Sequence, residues 1–572
     1  MKILLVAINA KYVHSSLAVG SIAAYNKAYS DSVEVAEYTI NNTKSFITAD
    51  IYKKNPDVVG VSCYIWNYSY VREIIGTLRK IMPDVPIWLG GPEVSYCSHT
   101  ILEENASVTG IIRGEGEETW RELLEFYVDK KGQPANIAGI TFRDGDKIIS
   151  TPDREYLDPN KLVFCYDRIE EFDNRIIYYE GSRGCPYSCS YCLSCIDKRV
   201  RFKDLDKIKE ELDFFIEKEV PQVKFTDRTF NCNHEYVKGI WKHLIEKDKG
   251  ITNFHFEVSA DLFDKEELDL ISKMRPGLIQ LEIGVQSTNP KTLSAINRKT
   301  PWDKLSANVR KIKSFGNTHQ HLDLIAGLPF EGYESFARSF DDVYDLRPDQ
   351  LQLGFLKILK GADICKGVEE NEIVYMSEPP YEVLSNKYLS YSDILKIKLV
   401  EEMCEVYYNS SQFKASLIML EEMYESPFNM FLELGEYYDN KGLLGINHSR
   451  MARYDILREF VSHKGFDVSA FEDVMLYDLY ARENLKSRPA WAKEREDYSE
   501  FYRDEEHIRM YLGDYEAYRF KQVIRMTHME KFRYDYSTWQ EKSDYSTGEA
   551  ILLFDYRTRS HIDNSARIVK VN

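Results

Sequence analysis

The stretch "GSRGCPYSCSYC" (residues 181–192) places Cys185, Cys189 and Cys192 within eight positions, directly behind a run of apolar and aromatic residues. Thiols this close together cannot link distant parts of a fold, and a structural zinc site usually takes four protein ligands in pairs. Three thiolates from one loop can hold three irons of a 4Fe–4S cluster and leave the fourth iron open to a non-protein ligand. The spacing therefore predicts such a cluster, with zinc as the alternative.

Three further cysteines bear on this prediction. Cys195 makes another C-x₂-C pair with Cys192, and we expect it not to bind the cluster, because a fourth thiolate would close the open iron. Cys232 and Cys365 each follow a predicted strand, and each is either a hydrogen donor facing a substrate or an inert buried thiol.

The composition limits the class of protein. The chain has 572 residues, 44% of them hydrophobic, with a net charge of -18 and ten cysteines. This net negative charge argues against non-specific binding to nucleic-acid phosphates. Ten cysteines are too sparse for a disulfide scaffold, so we expect a reducing cytoplasm. The apolar start "MKILLVAINAKYV" is too short to span a bilayer, and no other run approaches that length.

Residues 175–365 alternate strand and helix patterns around the cysteines. The predicted strands are "RIIYYEGSRG", "VKFTDRTF", "FHFEVSA", "LIQLEIGVQS", "LDLIAGLP" and "LQLGFLKIL". Six consecutive βα units predict a partial (β/α)6 barrel of the TIM type, whose chemistry lies at the carboxyl ends of the strands. Polar residues gather at those predicted ends: Asp227, Ser259, Asp261, Glu282, Gln286, Ser287, Asp323 and Glu331.

Residues 1–135 show a second strand–helix alternation. The apolar runs "KILLVAI", "DVVGVSCYI", "VPIWLGG" and "VTGIIRGEGE" indicate a flavodoxin-like (Rossmann-type) parallel sheet covered on both faces. Turn-rich segments follow these strands at residues 9–17, 62–67, 90–93 and 114–117. In such a sheet the ligand crevice lies at the carboxyl ends of the strands, so these segments are candidate binding loops.

The remaining regions carry weaker signals. Residues 136–174 contain two alternating runs around Asp144-Gly145, a hairpin pattern, followed by a proline-bearing linker. Residues 366–572 predict a mostly helical α+β domain that ends in an antiparallel pair of strands. His528 and Glu530 alternate on one of these strands, which is typical of a surface pair, with a pocket as the alternative.

"CPYSCSYC" directly after a barrel's first strand resembles the signature of the radical S-adenosylmethionine (SAM) enzymes. The resemblance implies that Cys185, Cys189 and Cys192 bind the cluster and that the methionyl amine and carboxylate of SAM chelate its fourth iron. "TDRTFN", "LEIGVQS" and "LDLIAGLPFE" are similar to segments that contact SAM in related enzymes. The implied SAM-binding residues are Tyr191, Glu282, Gln286, Ser287, Ile325, Gly327 and Leu328.

"LGGPEV" and "RGEGEETWREL" resemble the cobalamin-binding domain that precedes the barrel in one branch of this family. No D-x-H-x-x-G surrounds any of the twelve histidines, so the resemblance implies base-off cobalamin, unless the domain has lost cobalamin and only shapes the substrate pocket. His14 is expected to be a satisfied loop histidine. The implied cobalamin-binding residues are Ser62, Gly90, Gly91, Pro92, Gly114, Glu115 and Gly116.

These features predict a cytoplasmic, oxygen-sensitive radical SAM enzyme. With cobalamin, the expected reaction is methyl transfer to an unactivated carbon, or a radical rearrangement or cyclisation, with electrons from a flavodoxin or ferredoxin. Without cobalamin, the alternative is a hydrogen-abstracting oxidoreductase. A tRNA methylthiotransferase-like enzyme is a further alternative, but the acidic terminal region offers no basic RNA-binding module. The last alternative is a non-enzymatic iron–sulfur or zinc-binding protein. The sequence does not identify the substrate.

Overall fold

Residues 3–150 form the first α/β unit in a computed structural model, which describes residues 1–515 and 517–571. Its strands are β1 (Ile3–Asn9), β2 (Val33–Thr39), β3 (Val58–Ser62), β4 (Ile87–Gly90), β5 (Gly110–Ile112), β6 (Ile140–Asp144) and β7 (Lys147–Ser150). Its helices are α1 (Leu17–Tyr25), α2 (Lys44–Lys54), α3 (Tyr68–Ile81), α4 (Pro92–Ser95), α5 (Ser98–Glu104) and α6 (Glu117–Tyr127).

The first sheet has the strand order β2-β1-β3-β4-β5-β6-β7, and its first five strands are parallel. Separate apolar clusters cover its two faces, which confirms the parallel sheet buried on both sides. The β6–β7 hairpin, expected to lie outside this domain with the linker, instead extends the sheet antiparallel to β5. It thereby covers an edge of unpaired backbone groups.

A second sheet follows, with the order β15-β14-β13-β12-β11-β8 and parallel pairing throughout. All six strands predicted from the sequence are present. They are β8 (Ile177–Tyr179), β11 (Gln222–Phe225), β12 (Asn253–Val258), β13 (Ile279–Gln286), β14 (His319–Ala326) and β15 (Gln350–Phe355). Between β8 and β11 lies a short antiparallel pair, β9 (Ser182–Arg183) and β10 (Arg201–Phe202).

Amphipathic helices connect these strands and cover one face of the sheet. In the helix that follows β10, Ile208, Leu212, Phe215 and Ile216 recur at helical spacing and are fully or almost fully buried. The helices are α7 (Leu205–Glu217), α8 (His234–Lys247), α9 (Lys265–Ser272), α10 (Pro290–Ala295), α11 (Trp302–Lys313) and α12 (Tyr333–Tyr344).

The C-terminal region is mostly helical and ends in a three-stranded antiparallel sheet. Its strands are β16 (Val374–Tyr375), β17 (Val383–Ser385), β18 (Thr527–Phe532), β19 (Ala550–Arg559) and β20 (Ala566–Val571). Its helices are α13 (Tyr391–Met403), α14 (Lys414–Glu421), α15 (Pro427–Asn440), α16 (Arg450–His463), α17 (Val468–Arg482), α18 (Ser499–Arg503), α19 (Glu505–Tyr511) and α20 (Phe520–Met526).

A large apolar cluster joins this region to the second sheet and runs from Tyr166 to Ala566, and a smaller, separate cluster lies between Tyr502 and Val571. One expectation for this region was wrong. His528 and Glu530 form a buried pair rather than a surface pair. Glu530 pairs with Arg488 at 2.8 Å, and the His528 ring stacks on Tyr480 with 3.6 Å between centroids. No helix among residues 1–515 and 517–571 is long and apolar enough to cross a membrane.

Candidate functional site

The cysteine loop (residues 181–199) leaves the carboxyl end of β8 and is tied down by Asp227, just past β11. Asp227 Oδ1 accepts a hydrogen bond from the Gly181 N–H at 2.9 Å, and Oδ2 accepts from Ser182 Oγ at 2.6 Å and Tyr236 Oη at 3.1 Å. Burial raises the pKa of Asp227 to about 6. This carboxylate fixes where the loop begins relative to the sheet.

The three predicted cluster ligands meet in this loop. Cys185 and Cys189 are buried and Cys192 is half-buried. Hydrogen bonds from the Cys195 thiol lower the pKa of Cys185 to about 6, that of Cys189 to about 7 and that of Cys192 to about 5. The neighbouring thiols raise the pKa of Cys195. Thiolates are the metal-binding form, so the donor set fits an iron–sulfur cluster.

Two polar side chains flank the thiols. Thr229 Oγ1 lies 3.6 Å from Cys185 Sγ, and Arg298 Nη1 lies 4.0 Å from Cys189 Sγ. Arg298 also donates to Tyr191 Oη at 3.3 Å, so Tyr191 lies beside the thiols, and its contact with SAM stays a prediction. The sequence did not single out Thr229 or Arg298, because each reaches the loop from a separate part of the chain.

The residues expected to contact SAM do not share one environment. Gln286 has a positive φ of 71°, and its buried Oε1 has no hydrogen-bond partner among the described residues. A Cβ at Gly284 would lie 2.2 Å from Gln286 Nε2, so the amide needs a glycine there. Ser287 Oγ donates to Glu331 Oε1 at 2.7 Å, and burial raises the pKa of Glu331 to about 7. Gln286 therefore retains a hydrogen-bond acceptor for a ligand, whereas the Ser287 hydroxyl already donates to Glu331.

The segment after β14 is largely built into the core. Gly327 has φ +88°, and a Cβ there would meet Val383 Cγ1 at 2.6 Å. The Gly327 carbonyl accepts from Asn386 Nδ2 at 2.8 Å, and Leu328 is fully buried. Ile325 is half-buried and keeps free surface.

Glu282 lies on the face of the second sheet that the helices leave uncovered. Burial opposes ionisation there, but His255 Nε2 at 3.0 Å and Lys224 Nζ at 2.8 Å hold the pKa of Glu282 well below its usual range. Glu282 is thus part of a charged cluster on that face, which we name the polar face. Its members are Tyr178, Lys224, His255, Glu257, Glu282, His321 and Asp323.

The polar face includes groups that the sequence analysis missed. Burial raises the pKa of Glu257 to about 7, and His321 Nε2 lies 3.1 Å from Asp323 Oδ1. The signal was present within the strands, as polar residues alternating with core residues in "FHFEV" and "HQHLDL".

The carboxyl edge of the first sheet faces the second sheet and its loops. After β1, His14 Nδ1 lies 2.7 Å from Tyr178 Oη, so His14 is satisfied as expected. After β4, Glu93 pairs with Lys360 at 3.2 Å. After β5, Glu117 pairs with Arg183 at 2.5 Å. The predicted binding edge of the first domain therefore closes over the cysteine loop and the polar face.

The residues expected at the cobalamin site fall into two groups. Most serve the fold: Glu115 accepts from Arg201 at 2.8 Å, and a Cβ at Gly91 would lie 2.4 Å from the Cys63 carbonyl. Gly114 differs, because it has φ +76° and no described atom lies within 4 Å of its Cβ position. The positions engaged within the fold are Ser62, Gly90, Gly91, Pro92, Glu115 and Gly116.

This edge also carries exposed aromatic side chains. Tyr12 is 64% and Trp66 46% exposed, and Trp66 stacks on Tyr64 with 4.3 Å between ring centroids. Open space at Gly114 and exposed rings in the neighbouring loops fit a large planar group such as a corrin.

The remaining thiols differ in exposure. Cys232 is half-buried, and burial raises its pKa to about 11. Cys365 is exposed and lies 3.1 Å from the Leu359 carbonyl.

Family comparisons divide the chain into the same three parts. Residues 3–124 match the B12 binding domain, residues 179–343 match the Radical SAM superfamily, and residues 369–554 match a protein family of unknown function, DUF4080.

Individual relatives match about half of the chain. The cobalamin-dependent radical SAM methyltransferase TokK of Streptomyces tokunonensis is 25% identical over 304 residues, which cover 49% of this chain and 44% of TokK. The anaerobic magnesium-protoporphyrin IX monomethyl ester cyclase of Rubrivivax gelatinosus is 23% identical over 58% of this chain and 62% of the cyclase. The chain therefore matches less than two thirds of the length of these relatives.

A solved structure is similar over most of the chain. Apo OxsB, a cobalamin-dependent S-adenosylmethionine radical enzyme, superposes with a TM-score of 0.58 at 16% identity. The match covers 84% of this chain and 78% of OxsB, which shows that the two share a fold.

Proposed function

We propose that this chain, a radical SAM superfamily protein with an N-terminal B12-binding domain, is a cobalamin-dependent radical SAM methyltransferase. The observation that carries the proposal is the placement of Cys185, Cys189 and Cys192 opposite the carboxyl edge of the first sheet. A cluster held by these thiols and a corrin held by that edge would share one enclosed space.

Each part of the chain has a distinct role in this proposal. The three cysteines hold the 4Fe–4S cluster, and Arg298 places a positive charge beside their thiolates. Gln286 would offer its Oε1 to SAM, and the free surface of the half-buried Ile325 would pack against the adenine. The loop around Gly114 admits the corrin, without a histidine from a D-x-H-x-x-G motif below it.

When bound, these groups supply electron transfer to SAM and a methyl group for transfer. The protein's own contribution is enclosure and positioning. The Glu117–Arg183 ion pair joins the first domain to the cysteine loop, and the Glu93–Lys360 pair joins it to the segment after β15. The polar face presents Lys224, Glu257 and Asp323 at the same site, so we infer that the substrate is polar at the end that enters it.

The decisive experiment is anaerobic reconstitution with iron, sulfide and cobalamin, followed by desalting. We expect about four irons per chain and a retained corrinoid band, and S-adenosylhomocysteine or 5′-deoxyadenosine after reduction in the presence of SAM. The triple variant C185A/C189A/C192A should lose the iron and keep the corrinoid. C404A, a fully buried thiol elsewhere, is the matched control and should keep both.

Other outcomes select among the alternatives. SAM cleavage with no retained corrinoid would favour a hydrogen-abstracting oxidoreductase. Zinc in place of iron would contradict every enzymatic version of the proposal. The similarity to a cyclase favours radical cyclisation as the second candidate, which predicts 5′-deoxyadenosine without transfer of a labelled methyl group. We further propose a flavodoxin or ferredoxin as electron donor and a reducing cytoplasm as the compartment.

A further inference from the structure

A recess opens where the C-terminal region meets the amino end of the second sheet. It has a volume of about 1100 Å³, and we name it the basal pocket. Its lining consists of His319 at the start of β14, residues 409–411, Arg482 at the end of α17, and residues 557–564 between β19 and β20. Pockets for small organic molecules have volumes of roughly 300–1,000 Å³, so the basal pocket is large enough for one.

The basal pocket lies far from the cysteine loop. That loop follows the carboxyl end of β8, and all six strands of the second sheet run in the same direction. His319 begins β14 at the amino end, whereas Ala326 ends it at the carboxyl end. At a rise of about 3.3 Å per residue, the strand separates its two ends by about 23 Å. A ligand in the basal pocket is therefore distinct from the molecule that reacts beside the cysteine loop.

The lining of the basal pocket favours an anion, although the whole chain carries a net charge of -18. Arg482 and Arg559 contribute guanidinium groups, which stay charged in proteins. Asp563 is the only carboxylate among the described lining residues. Its Oδ2 already pairs with Lys414 Nζ at 2.5 Å. The carboxylate is thus neutralised from outside the pocket, and the positive charge of the arginines remains.

The two arginines also join the segments that form the walls. Arg482 Nε donates to the Ser411 carbonyl at 3.0 Å, and its Nη1 donates to the Asp563 carbonyl. Arg559 Nη1 donates to the Arg482 carbonyl at 3.0 Å and to the Asn564 carbonyl at 2.8 Å. Because these bonds link three separate parts of the chain, the pocket has its shape before a ligand binds.

Several polar groups of the lining are left for a ligand. Nε and Nη2 of Arg559 make no hydrogen bond within residues 1–515 and 517–571. His319 Nδ1 is buried, and it too lacks a partner in the described part of the chain. Buried polar atoms are normally hydrogen-bonded. A guanidinium with free N–H groups matches the oxygens of a phosphate, which it can bind through two parallel hydrogen bonds.

We propose that the basal pocket binds a small organic phosphate and that Arg559 pairs with its phosphate group. A phosphate ion alone would fill a small part of the recess, so the ligand has an organic part as well. The strongly acidic chain favours a small molecule over a nucleic-acid backbone as the source of the phosphate. The inference does not depend on the proposed function, because the cysteine loop contributes no residue to this pocket.

The test is isothermal titration of the reconstituted full-length chain with fructose 1,6-bisphosphate, which carries two phosphate groups on a sugar. We expect one molecule to bind per chain with a Kd below about 1 mM. Fructose should not bind, and citrate, a carboxylate anion, should bind more weakly than the bisphosphate. Absence of bisphosphate binding up to about 10 mM, or tighter binding of citrate, would overturn the proposal.

A matched pair of variants locates the binding. Thr558 is exposed, and its hydroxyl makes no hydrogen bond with the described residues. T558E adds a negative charge to the lining, whereas T558Q adds a side chain of nearly the same volume without charge. We expect T558E to raise the Kd about tenfold and T558Q to change it by less than about twofold. Both variants should keep the melting temperature of the wild type measured without ligand.

Arg559 is tested in the same way. R559Q should raise the Kd by about tenfold, because it removes the charged donor. If R559Q does not fold, the comparison of T558E with T558Q decides. An equal Kd in the wild type and T558E would contradict the proposal, since it would place the binding outside the basal pocket. Iron content, measured on the same samples, reports on the proposed function separately.

Discussion

Asp227 is the residue on which the geometry of the cysteine loop depends. It is fully buried and accepts from a backbone N–H and two hydroxyls, two of them on the residues that open the loop. A buried acceptor that satisfies several donors is costly to remove, because the donors are left without partners.

We expect D227A to lower the free energy of unfolding by about 2–4 kcal/mol and to reduce iron retention after desalting. Urea denaturation and iron analysis measure the two effects. D206A is the control, because its carboxylate is 96% exposed and should contribute less than about 0.5 kcal/mol. An unchanged iron content in D227A would show that the loop does not need this anchor.

The raised pKa of the Glu331 carboxyl predicts that the free energy of unfolding depends on pH. Its carboxyl is fully buried and receives hydrogen bonds from Ser287 at 2.7 Å and Ser339 at 2.9 Å, yet burial raises its pKa to about 7. The unfolded chain loses this proton near the ordinary value, so the contribution of Glu331 is largest at low pH and falls as the pH rises to about 7.

E331Q removes this titration. Its stability relative to wild type should therefore increase by about 1–3 kcal/mol between about pH 4.5 and pH 8. Denaturation curves at the two pH values measure the difference. The same relative stability at both would mean that Glu331 does not titrate in this range.

At the scale of elements, the loops after β4 and β5 differ in what their glycines do. Gly91 must be glycine because φ is +108° and a Cβ would collide with the Cys63 backbone, whereas Gly114 has a positive φ in open space. We expect G91A to lose about 3 kcal/mol of stability and G114A about 1 kcal/mol.

The two variants also separate fold from ligand binding. If the corrin approaches the backbone at Gly114, G114A should keep a near-wild-type melting temperature and retain less corrinoid after desalting. Full corrinoid retention in G114A would place the corrin elsewhere on this edge.

The ion pair between α6 and the cysteine loop joins two elements from different domains. Glu117 is 4% exposed and pairs with Arg183 at 2.5 Å while accepting from Ser21 at 3.2 Å. Removing one charge of a buried pair leaves the other uncompensated. E117Q should therefore lower stability by about 2–4 kcal/mol, as measured by urea denaturation. E125Q, whose pair with Arg121 is exposed, should change it little.

At the scale of the molecule, the first sheet is packed separately from the second sheet, with its own apolar clusters on both faces. The second sheet shares one large cluster with the C-terminal helices, and a smaller cluster lies between Tyr502 and Val571. Residues 366–572 cannot be removed without exposing the helices that cover the second sheet.

We expect a fragment of residues 1–155 to unfold cooperatively on heating, and a fragment of residues 1–365 to aggregate or to lack a cooperative transition for its second part. Circular dichroism and size-exclusion chromatography distinguish the two. A monomeric, cooperative 1–365 fragment would mean that the C-terminal region is dispensable for folding.

The cysteine loop, the two parallel sheets and all six strands of the second sheet could be predicted from the amino-acid sequence. These features are local: ligand spacing depends on a few adjacent residues, and a buried parallel strand is a short apolar run. The β6–β7 hairpin was visible as a hairpin, but its partner strand was not, because sheet edges pair over long sequence distances.

Which residues from separate segments contact one another could not be predicted from the sequence and is seen only in the folded structure. It brought Asp227 and Arg298 to the cysteine loop, bound Glu115 to Arg201 and buried His528 with Glu530. The ion pairs of the polar face likewise depend on the tertiary structure. Hydrogen-bond and ion-pair partners depend on how distant segments pack together. A local sequence pattern carries no information about that packing.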